Sequence, residues 1–246
     1  MKKYFDILYE DDQVVAVNKA PGLLTIPDRF QHHLPNIRLL LTKKFGQIYV
    51  VHRLDADTSG VLLMAKTSES HHALQQSWHE TTTQKVYHAL TALPATEAGL
   101  ISEKIAESNT RRGFYKVVAT KGKPSETSYQ VLQSWGQYAL TACTLHTGRT
   151  HQIRVHMKHI GAPLLVDHKY GLAEGFYLSQ IKRIRRSSEE ERPLMARTSL
   201  HAYELTFNHP MTNVPISVTA PYPKDFRAVL NQFNKVLGKK ESRGLL

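Results

Sequence analysis

The sequence has little of what several protein classes require. Its 246 residues include a single cysteine, Cys143, which excludes an internal disulfide framework and a cysteine-rich zinc module. Its apolar runs are shorter than the roughly 20 residues that a membrane-spanning helix needs. Acidic residues also interrupt the start of the chain, where a signal peptide has an apolar core. We therefore expect a cytoplasmic protein that contacts no membrane.

Phosphate-cradling loops are absent as well. The chain contains neither Gly-x-x-x-x-Gly-Lys-Ser/Thr nor Gly-x-Gly-x-x-Gly, the two patterns in which backbone N–H groups hold a nucleotide's phosphates. It also has no internal repeat and no coiled-coil heptad. A nucleotide cofactor is therefore not predicted.

Positive charge is what the chain has in excess. It carries 32 Lys and Arg against 21 Asp and Glu, a formal net charge of +11. Such an excess attracts polyanions through counterion release and favours nucleic acid as a partner, although a basic protein without that partner is the alternative. Apolar residues make up 41% of the chain, enough for a core in one large domain or two closely joined subdomains.

The hydrophobic pattern predicts more strands than helices, without regular alternation between them, which indicates an α+β fold. Strands are predicted at residues 5–9, 13–18, 48–51, 60–65, 85–92, 101–106, 127–133, 138–146, 200–207 and 214–219. Helices are predicted at residues 34–45, 68–80, 151–160 and 223–238. Thr150 is the predicted N-cap of the third helix and Gly161 its stop.

Residues 52–60 are the most informative segment and read His-Arg-Leu-Asp-Ala-Asp-Thr-Ser-Gly. They place the carboxylate of Asp55 beside Arg53 in a turn between two apolar runs. Turns held by rigid strands often display catalytic groups, while an ordinary turn with an ion pair is the alternative. Asp57 is expected to support the loop.

Three further segments follow in order. Residues 85–87 read Lys-Val-Tyr, residues 122–129 read Gly-Lys-Pro-Ser-Glu-Thr-Ser-Tyr, and residues 147–156 read Thr-Gly-Arg-Thr-His-Gln-Ile-Arg-Val-His. Together with residues 52–60, they resemble the motifs of the RluA-type pseudouridine synthases. The resemblance continues at residues 161–163, 167, 170–171, 200–202 and 209–210, and covers about residues 4–226. Ala20 and Val166 depart from the usual Pro and Gly, which puts the subfamily in doubt but not the chemistry.

The resemblance implies a pseudouridine-synthase core, a long, mainly antiparallel mixed sheet flanked by helices with a central cleft. It implies a single catalytic domain over residues 1–246, made of two closely joined subdomains and without an S4 domain. The implied activity is site-specific isomerisation of uridine to pseudouridine in structured RNA, either tRNA or large-subunit rRNA. No metal, nucleotide or redox cofactor is expected, and a monomer is the expected state.

The resemblance also assigns roles to residues. Asp55 is the expected nucleophile, and Arg154 the arginine that forms an ion pair with it, although on the predicted helix alone Arg154 is a surface residue. Tyr87 is expected to stack on the target uracil and to help remove its C5 proton, where strand position alone indicates core packing. The expected substrate-binding residues are Arg53, Arg149, Lys85 and Gln152.

Two other functions compete with this one. A catalytically silent RNA-binding module would carry the same charges and aromatic residues. A histidine-metal nucleic-acid hydrolase would use the histidines between residues 146 and 168, but His151 and His159 are about 12 Å apart along the predicted helix. The basic residues 182–186 before Glu189 form either a solvated loop or an RNA-contacting loop, as do the basic residues between 111 and 123.

Overall fold

The computed structural model describes residues 4–28, 30–31, 33–78, 80, 82–171, 173–183 and 191–238. The chain divides into two compact units. Unit 1 consists of Met1–Tyr87 and His201–Tyr222, and unit 2 of His88–Leu200 and Pro223–Leu246. The predicted single domain over residues 1–246 stays a prediction.

Within the described residues the chain forms eleven strands and four α-helices. The strands are β1 (Phe5–Glu10), β2 (Val14–Lys19), β3 (Tyr49–Val50), β4 (Ser59–Ala65), β5 (Gln84–Ala92), β6 (Ala98–Glu107), β7 (Tyr115–Val118), β8 (Lys123–Trp135), β9 (Tyr138–Leu145), β10 (Leu200–Asn208) and β11 (Pro215–Thr219). The helices are α1 (Ile37–Phe45), α2 (Ser68–Ser77), α3 (Gln152–His159) and α4 (Lys224–Gln232). A π-helical segment, Phe233–Leu237, follows α4.

Unit 1 is built on the strand order β1-β2-β4-β10, with β3 beside β4 and β11 beside β10. All of its strand pairs are antiparallel except β4 with β10, which run parallel where Ser59 faces His201 and Gly60 faces Ala202. Every residue of β4 is buried, as the apolar run over residues 61–65 predicts for most of the strand. The hydrophobic core of unit 1 includes Val14, Val61, Leu63, Leu74 and Phe207.

Unit 2 contains the strand order β5-β9-β8-β6-β7, to which β5 contributes its residues from His88 onward. The pairs of β6, β7, β8 and β9 are antiparallel. Helix α3 packs with Ile105 of β6, since Val155 shares a core cluster with Ile105 and Tyr170. Both units are rich in strands and the sheet is mixed, so the predicted α+β class is confirmed. The cleft expected in this fold stays a prediction.

Most predicted elements are present with shifted ends. The strands predicted at residues 5–9 and 13–18 pair as one antiparallel hairpin, and those predicted at 200–207 and 214–219 pair as another. The first helix begins at Ile37 because the side chain of Asn36 accepts a hydrogen bond from the Leu39 N–H and caps it. The strand β7 was not predicted. Among the described residues, no helix has both the length and the apolar character that crossing a membrane requires.

The third predicted helix is corrected in two respects. Thr150 does not cap it: helix α3 follows His151, which has a left-handed backbone (φ 57°) and makes no capping bond with its side chain. The expectation that Arg154 is a surface residue on helical grounds is wrong, because residues 152–157 are all buried. Gly161, with φ 77°, ends the helix as predicted, and its N–H donates to the Lys158 carbonyl.

Candidate active site

Asp55 lies in a tight turn that leads into β4. The N–H of Thr58 donates to the Asp55 carbonyl over 3.1 Å, and the Asp55 side chain is partly exposed. The hydroxyl of Thr25 bonds both backbone groups of Leu54: it donates to the carbonyl (2.9 Å) and accepts from the N–H (3.2 Å). The residue before Asp55 is therefore fixed by a side chain 29 residues away.

The residue after Asp55 is fixed by a buried lysine. Lys19 is 0% exposed, and its ammonium donates to the carbonyls of Ala20 (3.1 Å), Leu23 (2.8 Å) and Ala56 (2.8 Å). The N–H of Gly22 also donates to the Ala56 carbonyl, over 2.9 Å. Because a buried ammonium needs several acceptors, this arrangement holds the Asp55 turn in one position. From the sequence we noted only that Ala20, next to Lys19, departs from the family pattern, and we missed this role.

Strand β4 begins with a close backbone approach. Gly60 has φ 114°, and a Cβ built on it would overlap the backbone of Ala202 in the parallel neighbour β10. Ser59 Oγ lies 2.9 Å from His201 Nδ1, and His201 Nε2 lies 3.0 Å from the Ala220 carbonyl. Since Nε2 must donate to that carbonyl, Nδ1 accepts the Ser59 hydroxyl proton. This buried pair joins two strands.

Tyr87 belongs to the same unit as Asp55. It is 9% exposed on β5. Burial raises the pKa of the Tyr87 phenol far above its usual value, and the negative charge of Asp55 raises it further. The phenol is therefore neutral at physiological pH, and the Asp55 carboxylate is near enough to act on it electrostatically.

Lys85 and His52 both pack on Trp78. The Lys85 ammonium donates to the Trp78 carbonyl (3.3 Å) and lies 5.4 Å from the centre of its ring, and burial lowers the pKa of Lys85. The His52 ring stacks on Trp78 with centroids 4.6 Å apart, and its Nε2 accepts the Leu63 N–H. Burial, and then the charge of Lys85, lower the pKa of His52 to about 3. Arg53, next in the chain, is exposed.

Three of the predicted site residues belong to unit 2, and Arg154 is the most constrained. Its Nε donates to Asp167 Oδ2 over 2.6 Å and its Nη2 to Asp167 Oδ1 over 2.7 Å. Burial alone would raise the pKa of Asp167, but the Arg154 guanidinium and the N–H groups of Lys169 and Tyr170 hold it below its usual value. Sequence reasoning did not single out Asp167 as a partner of Arg154. The ion pair of Arg154 with Asp55 stays a prediction.

Gln152 is buried and its amide bonds only protein groups. Its Oε1 accepts from the Thr147 hydroxyl (2.8 Å) and the Arg149 N–H (2.9 Å). Its Nε2 donates to the Glu126 carbonyl and to Thr127 Oγ1, both over 2.9 Å. An amide has two acceptor and two donor positions, and all four are used here. Gln152 therefore shapes the loop that carries Arg149.

Unit 2 also carries exposed basic side chains, one of them on this loop. Arg149 is exposed and its Nε donates to the Pro124 carbonyl over 3.2 Å. The basic residues predicted as a solvated or RNA-contacting loop are also exposed: Arg111, Arg112, Lys116, Lys121 and Lys123. Of the other predicted basic segment, residues 184–190 lie outside the described residues.

The histidines that the structure describes are not grouped as in a metal site. Among the residues that the structure describes, no three His, Cys, Asp or Glu side chains are placed to hold a metal ion. His156 is buried, with Nδ1 3.0 Å from Thr127 Oγ1, and burial lowers its pKa to about 4. His159 Nε2 lies 3.8 Å from a Glu103 carboxylate oxygen.

Comparisons with known proteins show what the whole chain is similar to. Residues 13–159 match the family described as RNA pseudouridylate synthase. The chain is 36% identical to the ribosomal large subunit pseudouridine synthase D of Neisseria meningitidis. The match covers 92% of this chain and 60% of that protein. It is 32% identical to the dual-specificity RNA pseudouridine synthase RluA of Vibrio vulnificus, over 93% of this chain and 89% of that protein. The solved structure of human RNA pseudouridylate synthase domain containing 4 superposes with a TM-score of 0.70 at 25% identity, covering 93% of this chain and 92% of that one.

Proposed function

The chain belongs to the RNA pseudouridylate synthase family, and from this we propose that it isomerises uridine to pseudouridine at a particular site in structured RNA. In this reaction the N1–C1′ bond of the nucleotide breaks, the base turns, and C5 bonds to C1′. The C5 proton leaves and N1 gains one, so no atom or electron is supplied from outside. The observation that carries the proposal is the fixed turn of Asp55, in a segment that resembles the family's catalytic motif.

We propose Asp55 as the nucleophile. A nucleophilic carboxylate must be ionised and must hold its position while a bond forms. The turn meets the second requirement, because Thr25 fixes Leu54 on one side of Asp55 and Lys19 fixes Ala56 on the other. The Asp55 side chain is partly exposed.

Tyr87 is the proposed stacking partner of the target base. An aromatic plane holds a base that has left its own stack, and stacking contributes about 1–3 kcal/mol per base. The resemblance implies a second role, removal of the C5 proton. The raised pKa of Tyr87 keeps the phenol neutral, and a neutral ring can stack on a base.

The remaining predicted site residues are proposed to bind RNA or to support the active site. We propose that the exposed Arg53 and Arg149 contact RNA, because exposed guanidinium groups bind phosphates in bidentate fashion. Lys85 and Gln152 bond neighbouring protein groups and support the site. Arg154 is proposed to orient and stabilise the ionised form of Asp55, as the resemblance implies.

The proposed substrates are tRNA and large-subunit rRNA. One relative is named for the ribosomal large subunit and another for dual specificity. The net charge of +11 supports a polyanionic partner.

Tritium release from RNA labelled with 5-³H-uridine tests this function. Wild type and Asp55→Asn are each incubated with labelled tRNA and with labelled large-subunit rRNA, and RNA affinity is measured in parallel. We expect release with the wild type, none with Asp55→Asn, and affinities within about tenfold of each other, because the substitution removes chemistry and leaves RNA contacts in place. Binding by the wild type without release from either RNA would favour the silent RNA-binding module instead. Full turnover by a folded Asp55→Asn protein would remove Asp55 as the nucleophile.

A further inference from the structure

The Arg154–Asp167 pair is buried and is joined by two hydrogen bonds. Both guanidinium–carboxylate bonds are short, 2.6 and 2.7 Å, and the two side chains are 7% and 0% exposed. Two parallel bonds fix the plane of a guanidinium group as well as its position. Burying such a pair contributes little net stability, because desolvation of both charges offsets their attraction. Stability alone therefore does not account for it.

The Asp167 carboxylate is also fixed by hydrogen bonds from its own turn, independently of Arg154. Its Oδ1 also accepts the backbone N–H of Lys169 (2.9 Å) and of Tyr170 (3.1 Å). The Gly171 N–H donates to the Asp167 carbonyl over 3.0 Å. A Cβ on Gly171 would come within 2.6 Å of the Asp167 backbone nitrogen, so the turn closes this tightly only with glycine. The carboxylate thus has a defined orientation.

Tyr170 links this turn to the start of the helix that carries Arg154. Its ring centre lies 5.1 Å from the Arg154 guanidinium carbon. Its hydroxyl accepts the Tyr115 N–H (2.8 Å) and lies 2.9 Å from His151 Nδ1. His151 has the left-handed backbone directly before α3, a strained conformation that persists only where the surroundings enforce it. The turn that contains Asp167 and Tyr170 therefore fixes both the Arg154 guanidinium group and the start of helix α3.

From these contacts we propose that Asp167 and Tyr170 are positioning residues for the isomerisation and act through Arg154. Asp167 sets the plane of the guanidinium group, and Tyr170 sets the helix that carries it. The proposal rests on the proposed function, because it assigns Arg154 a place in the reaction.

Asp167→Asn is the main test variant, since it keeps the size of the side chain and removes its charge. We expect the single-turnover rate constant for tritium release from the RNA that the wild type modifies to fall about 100-fold, as a small misplacement of a reacting group can cause. The dissociation constant for the same RNA should stay within about threefold, because the RNA contacts are unchanged.

Asp225→Asn is the matched control. Asp225 accepts from Arg197 Nε and Nη2 over 2.7 and 3.0 Å, so this pair in unit 2 has the same two-bond pattern at another place, with a more exposed carboxylate (27% against 0%). We expect Asp225→Asn to lower the melting temperature and to leave the rate constant at the wild-type value. A comparable fall in rate constant for both variants would show a general effect of ion-pair loss and would overturn the proposal.

Two further variants keep the test decisive. Tyr170→Phe retains the ring and removes only the hydroxyl, and we expect a fall of about tenfold in rate constant with the fold preserved. Arg154→Lys combined with Asp167→Asn should be no slower than Arg154→Lys alone, because residues that act as a unit are non-additive.

An unchanged rate constant in Tyr170→Phe and Asp167→Asn, or effects that multiply in the double variant, would overturn the positioning role while the proposed function stands. A wild type that releases no tritium would instead refute the proposed function, and the positioning role with it.

Discussion

The ammonium of Lys19 hydrogen-bonds the carbonyl of Ala56 over 2.8 Å, although the Lys19 side chain is wholly buried. This bond reaches across 37 residues to the position directly after Asp55. A buried charge is tolerated only where several acceptors surround it, and Lys19 has three backbone carbonyls. The cation is thus a structural part of the nucleophile's turn.

Lys19→Met tests this role, since Met fills much of the same volume and donates no hydrogen bond. Leaving buried carbonyls without a donor costs about 1–3 kcal/mol each, so we expect the free energy of unfolding to fall by about 3 kcal/mol or more. Urea titration measures it, and tritium release should fall in the protein that remains folded. Lys43→Met, at an exposed position of α1, should stay within about 0.5 kcal/mol of wild type. Equal stability of the two variants would contradict the role of Lys19.

Asp55 could be located from the sequence because the residues that predict its turn are all close together in the chain. The flanking strands, the turn formers and the glycine all occur within residues 48–65, where pattern reasoning works. Lys19 and Asp167 were not assigned as supports because their bonds to Ala56 and Arg154 join residues 37 and 13 positions apart. Such pairs are set by tertiary packing.

The error at the start of α3 has the same origin. Thr150 is a good N-cap by propensity, but His151 takes the left-handed backbone and bonds the Tyr170 hydroxyl. A tertiary contact thereby overrides a local preference. The burial of Arg154 follows in the same way, since helical periodicity does not show that an arginine has an aspartate partner inside the protein.

Gly60→Ala should be severely destabilising. Its φ of 114° is strained for any residue with a side chain, and the added Cβ would meet backbone atoms of Ala202, which cannot rotate away. We expect a loss of about 3 kcal/mol or more in the free energy of unfolding. Gly148→Ala is the control, because nothing lies within 4 Å of a Cβ at that position. A Gly60→Ala protein as stable as this control would show that β4 and β10 can separate at this point.

Acid should destabilise the protein through His52. Its folded pKa is about 3, below the ordinary 6.5, because it is buried and near Lys85. Between these values the unfolded chain binds more protons than the folded one, so the stabilisation is complete above pH 6.5 and is lost as the pH falls toward 3. Unfolding free energies measured from pH 7 to 4 should therefore fall more steeply for wild type than for His52→Gln, by about one proton. His156, with a pKa lowered to about 4, contributes in the same direction in both proteins. Identical slopes would mean that His52 is protonated in the folded state.

RNA affinity should depend steeply on salt and on individual exposed cations. Each phosphate that is neutralised contributes a slope of about −0.9 in a plot of log affinity against log salt for a duplex.

Arg112 is exposed and follows another exposed arginine, Arg111. Arg112→Ala should therefore weaken binding for all RNA sequences alike and make the slope shallower by about 1. Lys224→Ala removes the same charge from an exposed position in α4 and serves as the charge-matched control, with an unchanged slope. Filter binding from 50 to about 300 mM salt distinguishes the two variants. A slope near zero in the wild type would mean that phosphates contribute little to binding, and equal slopes in the two variants would mean that net charge, and not the surface around Arg112, attracts the RNA.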